Sequence, residues 1–350
     1  MMHIDPVSYA QNRNYIDGSV SYLSPYISRG VISTKQVFQS LLSRGFNVNE
    51  MEKFVQELAW RDYWQQVWIA KGAAIDDDLK SAQEGVVHFG IPENLLCAKT
   101  GIQAVDSGIQ QLYDCGYMHN HLRMYTASFA TNIARCHWRI PAQWMYYHLL
   151  DADWASNALS WQWVAGTNSS KKYYANQENI NKYCGTDQTN TYLTVGYDQF
   201  PLTVIPESLQ AVDFSPSFST WLPTSEQLTV RSDLPTLLYT FYNMDLNWHP
   251  EENVNRILIL EPSHFKKYPV SDKTIHFLLS LAQNIPDLQL YVGEFSQLIQ
   301  SYELTTIHYK EHPTNTHFSG IEEPRDCMFP VQGYFPSFFA FWKKCKSYLP

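Results

Sequence analysis

Two stretches decide how this chain is read: Tyr117-Met118-His119-Asn120-His121-Leu122-Arg123-Met124-Tyr125-Thr126-Ala127-Ser128-Phe129, and Asp151-Ala152-Asp153-Trp154-Ala155-Ser156-Asn157-Ala158-Leu159-Ser160-Trp161-Gln162-Trp163. Both are rich in polar groups at helical spacing. Asn120 and Met124 lie one turn apart, and Asp153, Asn157 and Trp161 recur every four residues, so each set lines one stripe of a helix. Working outward, the pattern from 32 to 179 is helical. Ser33 with Gln36 forms a capping box, Val37, Phe38, Leu41 and Leu42 make an apolar stripe, and Gly45 stops it. A helix over 49–71 ends at Gly72 and places Glu57, Trp60, Arg61 and Trp64 on one face. Further helices are expected over 106–115, 120–138, 142–150 and 154–163. No β-pattern interrupts them, so a mainly α-helical domain is expected over 1–204.

Four prolines, Pro201, Pro206, Pro216 and Pro223, break the chain into a polar linker placed at 205–234. Beyond it, strand-like apolar runs at 236–241, 256–260, 288–292 and 305–309 alternate with helical stretches at 273–283 and 296–302. That alternation predicts a small α/β, Rossmann-like layer with a parallel sheet over 235–350. A last helix at 337–348 carries Phe338, Phe339, Phe341 and Trp342 and is expected to pack on something large.

Composition narrows the class. With 45% hydrophobic residues, 17% charged residues and no apolar run of membrane-spanning length, a soluble chain is expected. The first residues lack a basic stretch followed by an apolar core, so cytoplasmic residence without a secretory signal is the reading. Six scattered cysteines without a Cys-x-x-Cys pair argue against a zinc site, a redox dithiol or a disulfide framework, and no metal is expected. The formal charge of -9 counts against a nucleic-acid partner on average. Arg13, Arg29, Arg61, Arg123, Arg135, Arg139, Lys171 and Lys172 nevertheless cluster near the motifs, while the Asp76-Asp77-Asp78 run lies outside them.

Taken together and in order, the motifs from Tyr9 to Asn179 resemble the FAD-binding domain of the DNA photolyase/cryptochrome family. Tyr9, Arg13 and Val20-Ser21-Tyr22-Leu23-Ser24-Pro25-Tyr26 are similar to the segment that supplies hydroxyls and amides to the flavin pyrophosphate, with Val20 and Tyr22 departing from the usual residues. Glu57-Leu58-Ala59-Trp60-Arg61-Asp62-Tyr63 resembles the helix on which the Glu contacts the damaged pyrimidines, the Trp stacks beside them and the Arg approaches the flavin phosphates. The resemblance assigns Asn120 and Met124 to the substrate and flavin cavity, and Arg123 to an ion pair with the later acidic motif. His121 stands where relatives carry Arg. Asp151 and Asp153 are implied to bind the flavin ring edge and adenine-side groups, and Asn157 to face the reactive flavin nitrogen.

Trp161 and Trp138 would be the inner and middle members of an electron-transfer chain whose outer member has no clear counterpart. Trp163 would be a second base-stacking indole, and Lys171-Lys172 would contact backbone phosphates. Packing alone would also account for Trp138 and Trp161, a surface pair for Glu57 and Arg61, and a solvated loop for the lysines. The implied activity is blue-light repair of cyclobutane pyrimidine dimers in DNA, with Glu57 as substrate-side acid and Asn120 favouring that lesion. The alternative is a cryptochrome-like light sensor with a signalling protein partner, and a third reading is a scaffold that has lost its flavin. Residues 238–249 faintly resemble the start of the family's antenna domain, which suggests a relocated, antenna-like C-terminal half.

Overall fold

A computed structural model describes residues 1–225 and 227–350. The helical half contains α1 (Pro6–Asn12), α2 (Ser24–Ser28), α3 (Thr34–Ser43), α4 (Val48–Lys71), α5 (Glu93–Leu96), α6 (Gln103–Cys115), α7 (Asn120–Ser128), α8 (Arg139–His148), α9 (Trp154–Ala165) and α10 (Gln177–Cys184). The caps are those the sequence spells. Ser33 Oγ accepts from the Gln36 amide at 3.0 Å while the Gln36 side chain accepts from the Ser33 amide at 2.9 Å. Asn47 and Glu50 repeat the arrangement at the head of α4, and Gly72 closes it with a φ of +53°.

One expected helix divides. Over 120–138 the α-helix ends at Ser128, passes into a π-helical turn at Phe129–Ile133, and gives way to a bend before α8. The Thr131 hydroxyl donates to the Ala127 carbonyl at 2.7 Å. Asn132 Nδ2 reaches out to the carbonyls of Val164 (3.0 Å) and Tyr173 (2.8 Å), drawing the backbone off its regular path. Trp138 therefore lies just before α8.

The segment between the halves is more structured than a polar linker suggests. β1 (Ile91–Pro92) pairs antiparallel with β2 (Val212–Asp213), and Leu209 and Leu228 are buried. There follow β3 (Pro235–Tyr239), β4 (Asn255–Leu260), α11 (Pro262–Lys267), α12 (Asp272–Ala282), β5 (Leu288–Val292), α13 (Phe295–Ser301), β6 (Thr305–Lys310), β7 (Ile321–Glu323) and α14 (Phe338–Cys345). The sheet is wholly parallel in the order β5-β4-β3-β6-β7, as the alternation of strands and helices implies.

Alternation along its strands builds two cores. Leu237, Tyr239, Leu258 and Leu260 face the helical half and join its core, whereas Leu238, Ile257, Ile259 and Tyr309 face α13 and Phe318. Among the described residues no helix is long and apolar enough to cross a membrane. All six cysteines are free.

The halves lock at Gly30. It holds a φ of +68°, and the loop after β3 lies so close that a Cβ there would meet the Tyr242 carbonyl oxygen at 2.7 Å. The Met244 amide donates to the Arg29 carbonyl at 2.8 Å beside it. Gly30→Ala is therefore expected to cost about 2–3 kcal/mol from left-handed backbone strain and the clash. Urea denaturation of the two proteins measures this; equal midpoints would refute the close approach.

Candidate functional site

Four helices meet at a buried polar network. Glu57, Arg61 and Gln65 lie one turn apart along α4. Asp153 caps α9, accepting from the Ser156 amide at 2.8 Å. Arg61 Nη1 lies 2.9 Å from Asp153 Oδ2, and its Nη2 donates to Ser24 Oγ at 2.6 Å. Gln65 Nε2 adds donations to both Asp153 oxygens at 3.1 and 3.0 Å. The Ser24 hydroxyl in turn donates to Asp151 Oδ2, which also receives Arg123 Nη1 at 2.9 Å. Arg123 Nε is held by the Met118 carbonyl at 2.8 Å. Burial works to raise the Asp151 carboxyl, but Arg123, Arg61 and the Ser24 hydroxyl outweigh it and hold it below the usual carboxylate range. Asp151 is charged at neutral pH, and each of the two acids faces a guanidinium.

Asn157, on the same stripe of α9 as Asp153, donates from Nδ2 to the Ala142 carbonyl at 2.8 Å. That bond fixes which end of the amide is which and leaves the oxygen as the acceptor. Two guanidinium groups and a serine hydroxyl suit a diphosphate, and an amide oxygen suits a ring N–H. The donor set therefore fits a flavin dinucleotide.

Above this floor is an open rim. Glu57 is about one-third exposed and pairs with Lys53 Nζ at 3.1 Å and Arg13 Nε at 3.7 Å. His119, at the head of α7, lies by the Arg13 backbone and precedes Asn120, which is exposed and has its Nδ2 3.9 Å from Met124 Sδ. Tyr9 packs edge-on against Phe54 at 4.9 Å. Burial, and then the Glu57 charge, push its hydroxyl pKa upward. Ser21 Oγ caps the Leu23 amide at 3.4 Å, and Leu23 is half-buried at the start of α2.

The remaining residues separate. Trp60 is stacked on Phe338 of α14, with ring centroids 3.8 Å apart and planes 9° from parallel. Trp163 is exposed on the outer face of α9, 5.8 Å from the Tyr173 ring. Lys171 is exposed, whereas Lys172 Nζ is tied to the Glu84 carbonyl at 2.6 Å. His121 stacks on Tyr183, and burial, with His119 and Arg13 adding to it, lowers its pKa to about 4. It is neutral at pH 7 and offers no charge to a phosphate.

Trp161 and Trp138 are both buried. The Asp76–Asp78 run, read from sequence as lying outside the motifs, is brought to them. Asp78 Oδ1 accepts from Trp138 Nε1 at 2.7 Å, and Asp76 Oδ1 accepts from Trp154 Nε1 at 2.6 Å. Gln65 also escaped the sequence reading, although its place two turns along from Glu57 is a legible signal.

Residues 54–194 match the family model described as the FAD binding domain of DNA photolyase. That stretch of the helical half is thus similar to the FAD-binding domain of DNA photolyases. Similar curated proteins are deoxyribodipyrimidine photo-lyases. That of Alkalihalophilus pseudofirmus is 32% identical over 191 residues, covering 53% of this chain and 40% of the relative. That of Vibrio cholerae is 33% identical over 166 residues, covering 44% and 34%. The chain thus spans less than half the length of these relatives. Among solved structures, a Synechocystis cryptochrome aligns at 25% identity with a TM-score of 0.47, covering 51% of this chain and 39% of that one. The match is to an FAD binding domain, and Arg61, Arg123, Ser24, Asp151, Asp153 and Asn157 carry the donor and acceptor chemistry that fits that cofactor.

Asp153→Asn removes one member of a buried ion pair. It is expected to destabilise the chain by about 3–5 kcal/mol and to lower the flavin content of purified protein; unchanged flavin absorbance would separate the network from the cofactor. Acid acts in the same direction. Because the folded pKa of Asp151 is depressed, its stabilisation is complete above the unfolded carboxyl value of about 4 and is lost as pH falls through the folded value. Tyrosine and tryptophan fluorescence during acid titration should show this loss below about pH 4, shifted upward when Arg123 is replaced by Gln.

Proposed function

We propose that this chain is a light-driven flavoprotein that splits cyclobutane pyrimidine dimers in DNA. What supports this reading most is the make-up of the site: a partly exposed carboxyl group, Glu57, paired with Arg13 and Lys53, and an exposed amide, Asn120, lie outside the buried ion pairs. Beneath them lies the Arg61–Asp153 and Arg123–Asp151 floor that fits the flavin. Bound FAD supplies the photochemistry, an electron lent to the dimer and recovered after the ring opens, with no net redox change.

The protein's own groups act around that exchange. Glu57 presents a carboxyl group to a pyrimidine edge, where a hydrogen bond stabilises added charge. Arg13 and Lys53 keep that carboxyl oriented at the rim. Asn120 offers both a donor and an acceptor to a base, and Met124 lies against it as a polarisable apolar contact. Trp163 is available to an extruded base, as is whichever part of Trp60 Phe338 leaves uncovered. Arg13 and Lys171 are the cations left for backbone phosphates. Trp161 and Trp138 are assigned to photoreduction, and the Asp78 carboxylate on the Trp138 N–H would stabilise the oxidised indole.

One observation favours a second reading, a cryptochrome-like sensor. The stacking face of Trp60 is covered by Phe338, on a helix outside the residues that the family model matches. Illuminating reduced protein with a dimer-containing oligonucleotide decides between them. Restored thymines are expected; intact dimers in the presence of bound, reduced flavin would favour the sensor. In the same material Trp161→Phe should slow photoreduction at least about tenfold while flavin stays bound, as followed by flavin absorbance under blue light. Unchanged kinetics would remove Trp161 from the route.

A further inference from the structure

Away from the flavin site, one face of the sheet gathers a second set of groups with defined chemistry. Leu237 and Tyr239 of β3, His308 and Lys310 of β6, and Glu323 of β7 point to the same side, because side chains alternate along strands and His308 and Lys310 pair with Ile321 and Glu323. The loop after β3 folds back over that side, with the Trp248 ring 5.0 Å from Tyr239. It delivers His249 Nε2 to 3.0 Å from Glu323 Oε1, and His308 Nδ1 reaches the same oxygen at 2.9 Å. The three ligand atoms lie within 4.8 Å of one another.

We propose that His249 Nε2, His308 Nδ1 and Glu323 Oε1 form a zinc site with a fourth position open to water. Two imidazoles and one carboxylate are a donor set zinc accepts, with bonds of about 2.0–2.2 Å and ligand pairs about 3.4 Å apart in a tetrahedron. The two carboxylate–imidazole distances are already near that spacing, so closing on a cation needs only small ring movements.

The surroundings are those that orient metal ligands. Glu252 accepts from His249 Nδ1, which leaves Nε2 as the free lone pair. Trp248 Nε1 donates to Glu323 Oε2 at 2.8 Å, holding the other carboxylate oxygen away from the ligand position. The His249 backbone stands at a φ of +48°, a left-handed conformation uncommon for a residue with a side chain. Its carbonyl is pinned by Arg256 Nη2 at 2.8 Å. Lys310 Nζ, 3.7 Å from Glu323 Oε2, faces the oxygen not assigned to the metal.

The bland rival is a proton in place of the metal. The hydrogen bond to Glu252, together with that to Glu323, raises the His249 pKa despite burial, so a protonated His–Glu–His cluster would be coherent without any ion. Zinc would displace that proton, and its binding would tighten as pH rises.

The test uses the full chain without a polyhistidine tag, stripped with chelator, exposed to Zn2+ and dialysed. Metal content is read by mass spectrometry, and Co2+ serves as a spectroscopic probe of four-coordination. About one zinc per chain is expected. His308→Gln and Glu323→Gln should each fall to background, and Glu252→Gln should weaken binding about tenfold. Replacing the exposed Cys97 and Cys115 should change nothing. Flavin content and melting temperature of each variant in metal-free buffer report whether it has folded. A native chain that retains no zinc overturns the proposal whatever the variants do, as does retained zinc that disappears with the two cysteines.

Discussion

The helical half is organised around the ion pair between Arg61 and Asp153. Taking these two charges out of water costs several kcal/mol each, and their attraction offsets this only when the remaining hydrogen-bonding capacity is filled. Here it is filled from three directions, by Gln65, by Ser24 and by the first-turn amide of α9. Asp153 is thus both a helix cap and an ionic partner, so the start of α9 and its distance from α4 are set by one carboxylate. Asn157 and Trp161, one and two turns further on, inherit that placement. A stripe spaced every four residues becomes a functional surface only because its first member is anchored.

Much of this was legible in the sequence where the cause is local. The capping box at Ser33, glycine stops at Gly45 and Gly72, and the four-residue repeat of Asp153, Asn157 and Trp161 act within a turn or two. The four apolar strand runs were legible for the same reason, since a parallel sheet covered on both faces demands nearly unbroken hydrophobic strands. What sequence could not supply comes from distant partners. The π-helical turn after Ser128 follows from Asn132 bonding to Val164 and Tyr173. The acids at 76–78 read as a charged surface run until the fold closes them on indoles 60 and 78 residues later. β7 is three residues long and exposed along most of its length, with too little hydrophobic signal to register. The His249–Glu323 contact joins residues 74 positions apart, with no spacing rule to announce it.

The C-terminal half does more than accompany the helical one. α14 lays Phe338 flat on Trp60 and Phe341 near Tyr63, so the last helix completes the packing of α4. Arg29 makes the same point from the other side. It is fully buried, with its guanidinium 3.5 Å above the Phe241 ring and donating to the carbonyls of Asp151 and Ala152, at 3.3 and 3.0 Å. A cation so enclosed is tolerable only where aromatic faces and backbone carbonyls from both halves surround it.

The order β5-β4-β3-β6-β7 reverses its winding between β3 and β6, and open parallel sheets of this kind receive small molecules in the crevice beyond the carboxyl ends of the strands at such a reversal. In this chain the loops leaving those two strands, with Thr240, Tyr242, Glu311 and His312, line a cavity of about 130 Å³ together with Arg61, Gln65 and Asp153. The crevice of one half and the underside of the other's ionic floor are a single space. A molecule seated there would touch residues of both halves at once.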